Sequence, residues 1–180
     1  MFKNHRLVKI AIVSAVTLLS EILCAAQPKS IGVTQSFRGA WISYEHTLEK
    51  DCFICLDAGL LLGDLFSGKA ATPGYTAGIS WNFTFFKAET PDSGVISLFA
   101  GPGLTVGYDS DLKKRRGIIF GVCGRFGVEC AFPRNITLSA SVNPILGSNL
   151  VVLDDSVNMT LYKKGLLYGL IPEIGIKYNF

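Results

Sequence analysis

Residue types that support nucleophilic or metal chemistry are few in this sequence, and their spacing does not favour a site. After residue 26 there is one histidine, His46, which the strand pattern places on an apolar face. A serine-type hydrolytic site at the outer rim therefore has no base. Cys52 and Cys55 have redox-motif spacing, but residues three apart on a strand point to opposite faces. We expect no enzyme activity, no cofactor and no metal site.

The four cysteines after residue 26 are predicted to be free thiols: Cys52, Cys55, Cys123 and Cys130. Cys55 and Cys123 both fall on the polar face of their predicted strands, on roughly opposite walls. A disulfide needs Cα atoms within about 7 Å, which that separation exceeds. We therefore interpret the cysteines as buried small apolar residues.

Residues 63–70 nearly match a phosphate-binding loop, Gly-x4-Gly-Lys-Ser/Thr. Ala70 stands where the metal-binding hydroxyl should be, and Pro73 and Gly74 prevent the helix whose N-terminus would hold the phosphate. We interpret this segment as an ordinary loop.

Six charged residues share the polar face of the predicted strands: Glu45, Asp57, Arg125, Glu129, Glu173 and Lys177. Charges removed from water must be paired. The interior of an eight-stranded barrel is just wide enough for side chains, and solute channels begin near about sixteen strands. The sequence therefore favours a salt-bridged plug. The alternative is a narrow pore or small-solute channel in which these residues form an ion path.

The elements that must position these residues are β-strands, because apolar residues alternate with small or polar ones along most of the chain. We predict eight strands at 29–37, 40–48, 52–62, 75–86, 95–108, 120–132, 136–144 and 165–180. In the last of these, we expect the face of Leu166, Tyr168 and Ile174 to oppose that of Glu173 and Lys177.

The composition of the two faces indicates which one meets lipid. No Asp, Glu, Lys or Arg occurs in the core of any apolar face, and the opposite face is mostly Gly, Ser, Thr and Asn. A water-facing surface is usually about a quarter to a third charged, whereas a cation at mid-membrane costs about 2–4 kcal/mol. We predict an all-β, eight-stranded, antiparallel up-and-down transmembrane β-barrel. A soluble barrel or sandwich is the alternative.

Connection lengths differ between the two ends of this predicted barrel. Connections 49–51, 88–94 and 133–135 are short, as periplasmic turns are, whereas the predicted outer loops are 63–74, 109–116 and 147–164, with a tight turn near Arg38. Residues 150–153 and 159–162 remain apolar and could extend the barrel as a hairpin. One outer loop carries a basic run whose function is either to bind lipopolysaccharide phosphates or simply to be solvated: Lys113, Lys114, Arg115 and Arg116.

The first 26 residues have the layout of a secretory signal peptide. Lys3, Arg6 and Lys9 precede an uncharged run at 10–20, and Cys24 and Ala26 are small residues before the predicted cleavage point. The run is shorter than the roughly 20 residues that a spanning helix needs. We predict a signal peptide at 1–26 and one barrel domain at 27–180.

The end of the chain resembles the assembly signal of bacterial outer-membrane barrels, a terminal aromatic preceded by alternating hydrophobic residues: Ile174, Ile176, Tyr178 and Phe180. With Tyr44 and the glycines of 121–127, the chain resembles the small OmpX- and OmpA-type barrels. That resemblance implies a monomer in the outer membrane of a Gram-negative bacterium, in contact with membrane lipid and lipopolysaccharide and inserted by the barrel assembly machinery. It does not fix a role. The net charge of +3 gives no reason to expect a nucleic-acid partner.

Overall fold

Antiparallel pairing closes the strands into one barrel wall. The computed structural model describes residues 29–62, 73–90, 94–110, 116–153 and 156–180. Within them lie ten strands and one helix: β1 Lys29–Ser36, β2 Gly39–Glu49, β3 Cys52–Leu61, β4 Gly74–Thr90, β5 Gly94–Ser110, β6 Arg116–Phe132, β7 Ile136–Val142, β8 Ile145–Leu153, β9 Ser156–Leu161, α1 Lys163–Gly169 and β10 Glu173–Asn179. The predicted signal peptide at 1–26 lies outside the described residues and stays a prediction.

The ten strands occupy eight positions in the wall. The order is β5-β4-β3-β2-β1-β10-β7-β6, and β6 pairs back onto β5. β8 continues β7 along the same edge of β6, because Phe126 pairs with Val142 and Cys123 pairs with Ile145. β9 pairs with β8 as a hairpin. The predicted eight-stranded antiparallel barrel is confirmed, and closure pairs the backbone groups that lipid could not satisfy.

The prediction of one continuous last strand at 165–180 is wrong in its first half. Residues 163–169 form α1, so Leu166 and Tyr168 are helical, and β10 begins at Glu173. The hydrogen bonding along β6 is also interrupted near α1. There the predicted strand 136–144 ends early, at Val142, and β8 begins at Ile145. Pro144 has no N–H to donate, and the Asn143 N–H donates to the Gly169 carbonyl oxygen at 2.8 Å instead. A Cβ at Gly169 would collide with that Asn143–Pro144 backbone.

Most of the predicted outer loop at 147–164 is regular structure, in the hairpin form that the sequence analysis allowed for it. β8 and β9 run through this segment and pair from Ser148–Leu161 to Leu153–Ser156. The apolar segments 150–153 and 159–162 do extend the barrel as a hairpin. Within the described ranges, no helix is long and apolar enough to cross a membrane.

Alternate residues point to opposite sides of the wall. On β10, Lys177 is 2% exposed, whereas Ile174 is 70% and Ile176 is 53% exposed. The same alternation exposes Val33, Ile79, Leu104 and Val122 on other strands. The apolar side chains therefore form the outer surface, where they would contact hydrocarbon. This contradicts the soluble alternative, in which they would fill the centre.

We call the two ends of the barrel the inner end and the outer end, after the predicted periplasmic turns and outer loops. At the inner end, short turns at 50–51 and 133–135 join strands, and β4 ends and β5 begins at this end. At the outer end lie the β1–β2 turn at 37–38, the β8–β9 hairpin and the connections between β3 and β4 and between β5 and β6. Tyr75 and Tyr108 stack near that end with ring centroids 5.9 Å apart. Aromatic rings at this level are typical of a membrane interface.

Candidate functional site

The deepest charges of the interior form what we call the Lys177 cluster: Lys177, Glu45, Glu129 and Arg125. Lys177 of β10 lies between β2 and β6, with its Nζ 2.6 Å from Glu45 Oε1 and 2.5 Å from Glu129 Oε1. The Ser30 hydroxyl donates to the other Glu45 oxygen at 3.2 Å. Because these groups are buried, an unpaired charge among them would be strongly destabilising, so each one needs its partners.

Arg125 joins the cluster from the middle of β6. Its NH1 lies 3.8 Å from Glu45 Oε1 and donates to Cys55 Sγ at 2.6 Å. The Phe99 ring centroid lies 5.7 Å from both the Arg125 guanidinium carbon and Lys177 Nζ. Phe53 packs edge-on against Phe99, with centroids 5.5 Å apart. The two cations therefore rest on an aromatic layer that fills the lumen beside them.

A second ion pair lies nearer the outer end. Arg38 follows β1 in a tight turn, yet it is only 4% exposed, because its side chain points into the barrel. Its NH1 is 4.0 Å from Glu173 Oε1 and donates to the Asn143 carbonyl oxygen at 3.4 Å. The guanidinium also lies 5.4 Å from the Trp41 ring centroid.

Near the outer end, buried side chains meet in what we call the outer seal: Asp109, Lys164, Tyr162, Ile119 and Ile145. Lys164 of α1 places its Nζ 3.0 Å from Asp109 Oδ2, and the Tyr162 hydroxyl donates to the same oxygen at 2.8 Å. Tyr162 also packs with Ile119 and Ile145 in a buried apolar cluster. The seal exists because α1 turns Tyr162 and Lys164 inward where a regular strand would continue the wall.

The inner mouth is more open. A polar pocket of about 190 Å³ reaches inward to Glu129, with Lys29, Lys50 and Lys87 near its rim. Lys87 Nζ lies 2.7 Å from Asp51 Oδ1, and this hydrogen bond lowers the pKa of the Asp51 carboxyl from its usual value. Among the described residues, the interior thus has a polar pocket at its inner end and a buried side-chain cluster near its outer end.

The structure places the predicted site residues as follows. Glu45, Arg125, Glu129 and Lys177 come together in the Lys177 cluster, whereas Glu173 pairs with Arg38. Asp57 is half-buried in the interior beside Gly78, whose missing side chain leaves room for the carboxylate. The sequence reasoning missed Arg38 and the outer seal.

The other predicted residues lie on the outside. Ile174, Ile176, Tyr178 and Phe180 project outward, all more than half exposed. Lys113, Lys114 and Arg115 lie outside the described residues, and Arg116 begins β6.

The cysteines are distributed over both faces of the wall. The four cysteines of the described ranges, Cys52, Cys55, Cys123 and Cys130, are free thiols. Cys55 faces inward to Arg125, whereas Cys52 accepts a hydrogen bond from Trp81 Nε1, as the opposite-face prediction requires. Over the described part of the chain, no three His, Cys, Asp or Glu side chains are grouped to hold a metal ion.

No protein-family model matches the sequence, and no curated protein matches it. Among solved structures, it is similar to the N-terminal β-barrel domain of Pseudomonas aeruginosa OprF, with 15% identity over 85% of this chain and 96% of that one, at a TM-score of 0.46. It is also similar to Neisserial surface protein A, with 19% identity, coverage of 85% and 94%, and a TM-score of 0.45. A major outer membrane protein from Thermus thermophilus has 13% identity, coverage of 87% and 100%, and a TM-score of 0.48.

These likenesses are distant, so the architecture rests on the chain's own strands and faces. The wall is closed, its outer surface is apolar, and buried ion pairs lie in its interior. Only lipid around the wall makes that arrangement favourable. The chain is therefore a small eight-stranded β-barrel of the outer-membrane type, the architecture that its resemblance to OmpX- and OmpA-type barrels implied.

Proposed function

We propose that this chain is a non-enzymatic, monomeric barrel of a Gram-negative outer membrane with a plugged lumen, acting through its outer end in envelope stabilisation or surface interaction. The observation that carries the proposal is the Lys177 cluster, in which one buried ammonium contacts two carboxylates from opposite strands. Charges paired in this way hold the wall together across the lumen and leave little room for a solute path.

The outer seal supports the same conclusion. An ion that crossed the barrel would have to separate Lys177 from its two carboxylates and then displace Lys164 and Tyr162 from Asp109. Between these barriers lie the Arg38–Glu173 pair and the Phe99 ring. Each step exposes a buried charge without its partner, which is strongly unfavourable.

The outer end and the last strand supply the proposed partners. In the basic run, Lys113, Lys114 and Arg115 come between β5 and β6 in the sequence and Arg116 begins β6, and cationic side chains there can bind lipopolysaccharide phosphates. The outward residues Ile174, Ile176, Tyr178 and Phe180 are available to the barrel assembly machinery as the resemblance implies. Replacing all four basic residues by Gln should weaken lipopolysaccharide binding without altering the folded barrel.

Conductance across planar bilayers tests the plugged lumen. The purified protein should first be shown to be folded by heat-modifiable migration on a gel, so that silence is not caused by unfolded chains. We expect no discrete openings. Stable single-channel steps would contradict the plug and favour a narrow pore.

The pore remains the second candidate because the polar inner pocket of about 190 Å³ already reaches Glu129. Water and small ions can therefore approach the Lys177 cluster from the inner end. In a pore, Glu129→Gln should change the cation selectivity of the openings, because it removes a carboxylate from the proposed path. In a plugged barrel, that variant has no conductance to change.

A further inference from the structure

A groove of about 490 Å³ runs along the outward side of the wall formed by β2 to β5. Its lining is almost wholly apolar and includes Tyr44, His46, Leu56, Ala77, Leu104 and Val106. Ala77 contributes to the depression through its small methyl group, because its partner on β3, Ala58, is also small, whereas its neighbours on β4 and β5 are longer. Val106 is its direct partner on β5, and Ile79 follows it on β4.

One polar group in this groove lacks a partner. His46 is only 4% exposed although it lies on the outward face of β2, where Ile42 is 62% exposed. Among the described residues, its Nδ1 is buried without a hydrogen-bond partner. Such groups in native structures call for an explanation, and an absent ligand or water is a usual one.

His46 also marks one end of the groove. It lies three residues before the end of β2, so it is near the inner end of the barrel, and its neighbour across the ladder is Ile54. From there the groove runs along the wall past Tyr44 and Leu56 towards Ala77 and Val106. A ligand that fits has a hydrogen-bonding group near the interface and a long apolar part extending into the membrane.

We propose that this groove binds one acyl chain of an inner-leaflet phospholipid, and that the His46 ring turns on binding so that its Nδ1, which is inaccessible in the structure, donates a hydrogen bond to the lipid ester carbonyl. The surroundings of the wall are hydrocarbon, so an acyl chain is the molecule available to fill an apolar groove there. A neutral imidazole donates at one ring nitrogen, and the lipid ester lies at the depth where chain and headgroup join. The proposal depends on the transmembrane barrel and is independent of the role of the outer end.

The neighbouring part of the wall supplies a matched control. A second outward groove, of about 290 Å³, lies on β5 to β7 and is lined by Leu98, Phe126, Ala140 and Pro172 among others. Ala140 corresponds to Ala77 as a small outward residue, but the outward side chains of this groove include no polar group. It should contact lipid without selecting it.

The test is native mass spectrometry of the full barrel released from detergent and titrated with phosphatidylethanolamine. We expect the first lipid to bind about tenfold more tightly than later ones, the effect of one good hydrogen bond added to an apolar contact. Ala77→Phe should abolish this first step, whereas Ala140→Phe should preserve it. Both substitutions face outward, and heat-modifiable migration would verify that each variant is folded.

Histidine variants test the polar contact separately. His46→Leu should weaken the first step about tenfold, and His46→Gln, which keeps a donor, should retain most of it. Equal affinity for all lipids in the unmodified chain, or a tight first step that survives Ala77→Phe, would overturn the proposal. Tight binding of lipid A with no tight phospholipid step would overturn it too, because lipid A belongs to the outer leaflet.

Discussion

Replacing Lys177 by Met removes the cation that two buried carboxylates share. Met has a similar length and flexibility, so the change is mainly one of charge. Glu45 and Glu129 would then face the same space without the ammonium that lies 2.6 Å and 2.5 Å from them. We expect a large loss of stability with the barrel wall otherwise intact.

The size of the loss follows from what remains after the substitution. Removing one partner of a buried ion pair costs about 3–5 kcal/mol. Arg125 still lies 3.8 Å from Glu45, and the Glu129 side chain is 17% exposed towards the inner pocket. Both features reduce the penalty, so we expect the lower end, about 3 kcal/mol, or a shift of about a hundredfold in the unfolding equilibrium.

Urea unfolding of the barrel in phospholipid vesicles measures this difference. Lys87→Met is the matched control, because Lys87 of β4 makes an ion pair with Asp51 at the similar distance of 2.7 Å but with both side chains exposed. That variant should change little, since exposed pairs are screened by water. Adding Glu129→Gln to Lys177→Met should restore part of the loss. If Lys177→Met were as stable as Lys87→Met, the interior cluster would not stabilise the barrel.

Two further predictions concern the outer seal and the wall. Lys164→Met should leave the Asp109 carboxylate buried without its cation and destabilise α1 by about 3 kcal/mol or more. Hydrogen exchange should then be faster in 163–169, with β10 unaffected. Unchanged exchange would contradict the outer seal. Gly101→Ala should prevent formation of the folded gel band, because the added Cβ would collide with the Trp81 carbonyl oxygen. Gly124→Ala should fold normally, since no atom lies within 4 Å of the added carbon. Equal folding of both variants would contradict the pairing of β4 with β5.

The wall and its two faces were predictable because a two-residue repeat needs no tertiary information. Lys177 illustrates this: its neighbours on either side, Ile176 and Tyr178, are apolar, so alternation alone assigns it to the opposite face. The meeting of Lys177 with Glu45 and Glu129 was not predictable to the same degree. It depends on the registers that link β10 through β1 to β2 and through β7 to β6, which the alternation does not specify.

The helix α1 was missed because apolar residues continue through 165–171 on both faces of a supposed strand. Pro144 and Pro172 were the available signals, since a proline inside a central strand removes a ladder hydrogen bond. Gly165 and Gly169 are four residues apart, which places them on one face of a helix. That face packs closely on Tyr162 and Pro144.

Arg38 could not have been assigned to the interior from sequence. A charged residue in a two-residue turn is normally solvated, and nothing near Arg38 in the chain indicates its partner. Glu173 is distant in sequence and comes near only because β10 closes the barrel against β1. Closure of the wall is therefore what creates the second ion pair.

Fluorescence quenching by phospholipids with brominated acyl chains tests most directly whether hydrocarbon surrounds the apolar face. The chain has two tryptophans, and they lie on opposite sides of the wall: Trp81 is 52% exposed on the outside and Trp41 is 6% exposed in the interior. In Trp41→Phe, the remaining Trp81 should be strongly quenched by the brominated lipid. In Trp81→Phe, Trp41 should keep nearly all its emission. Quenching of Trp41 with Trp81 unaffected would contradict the account.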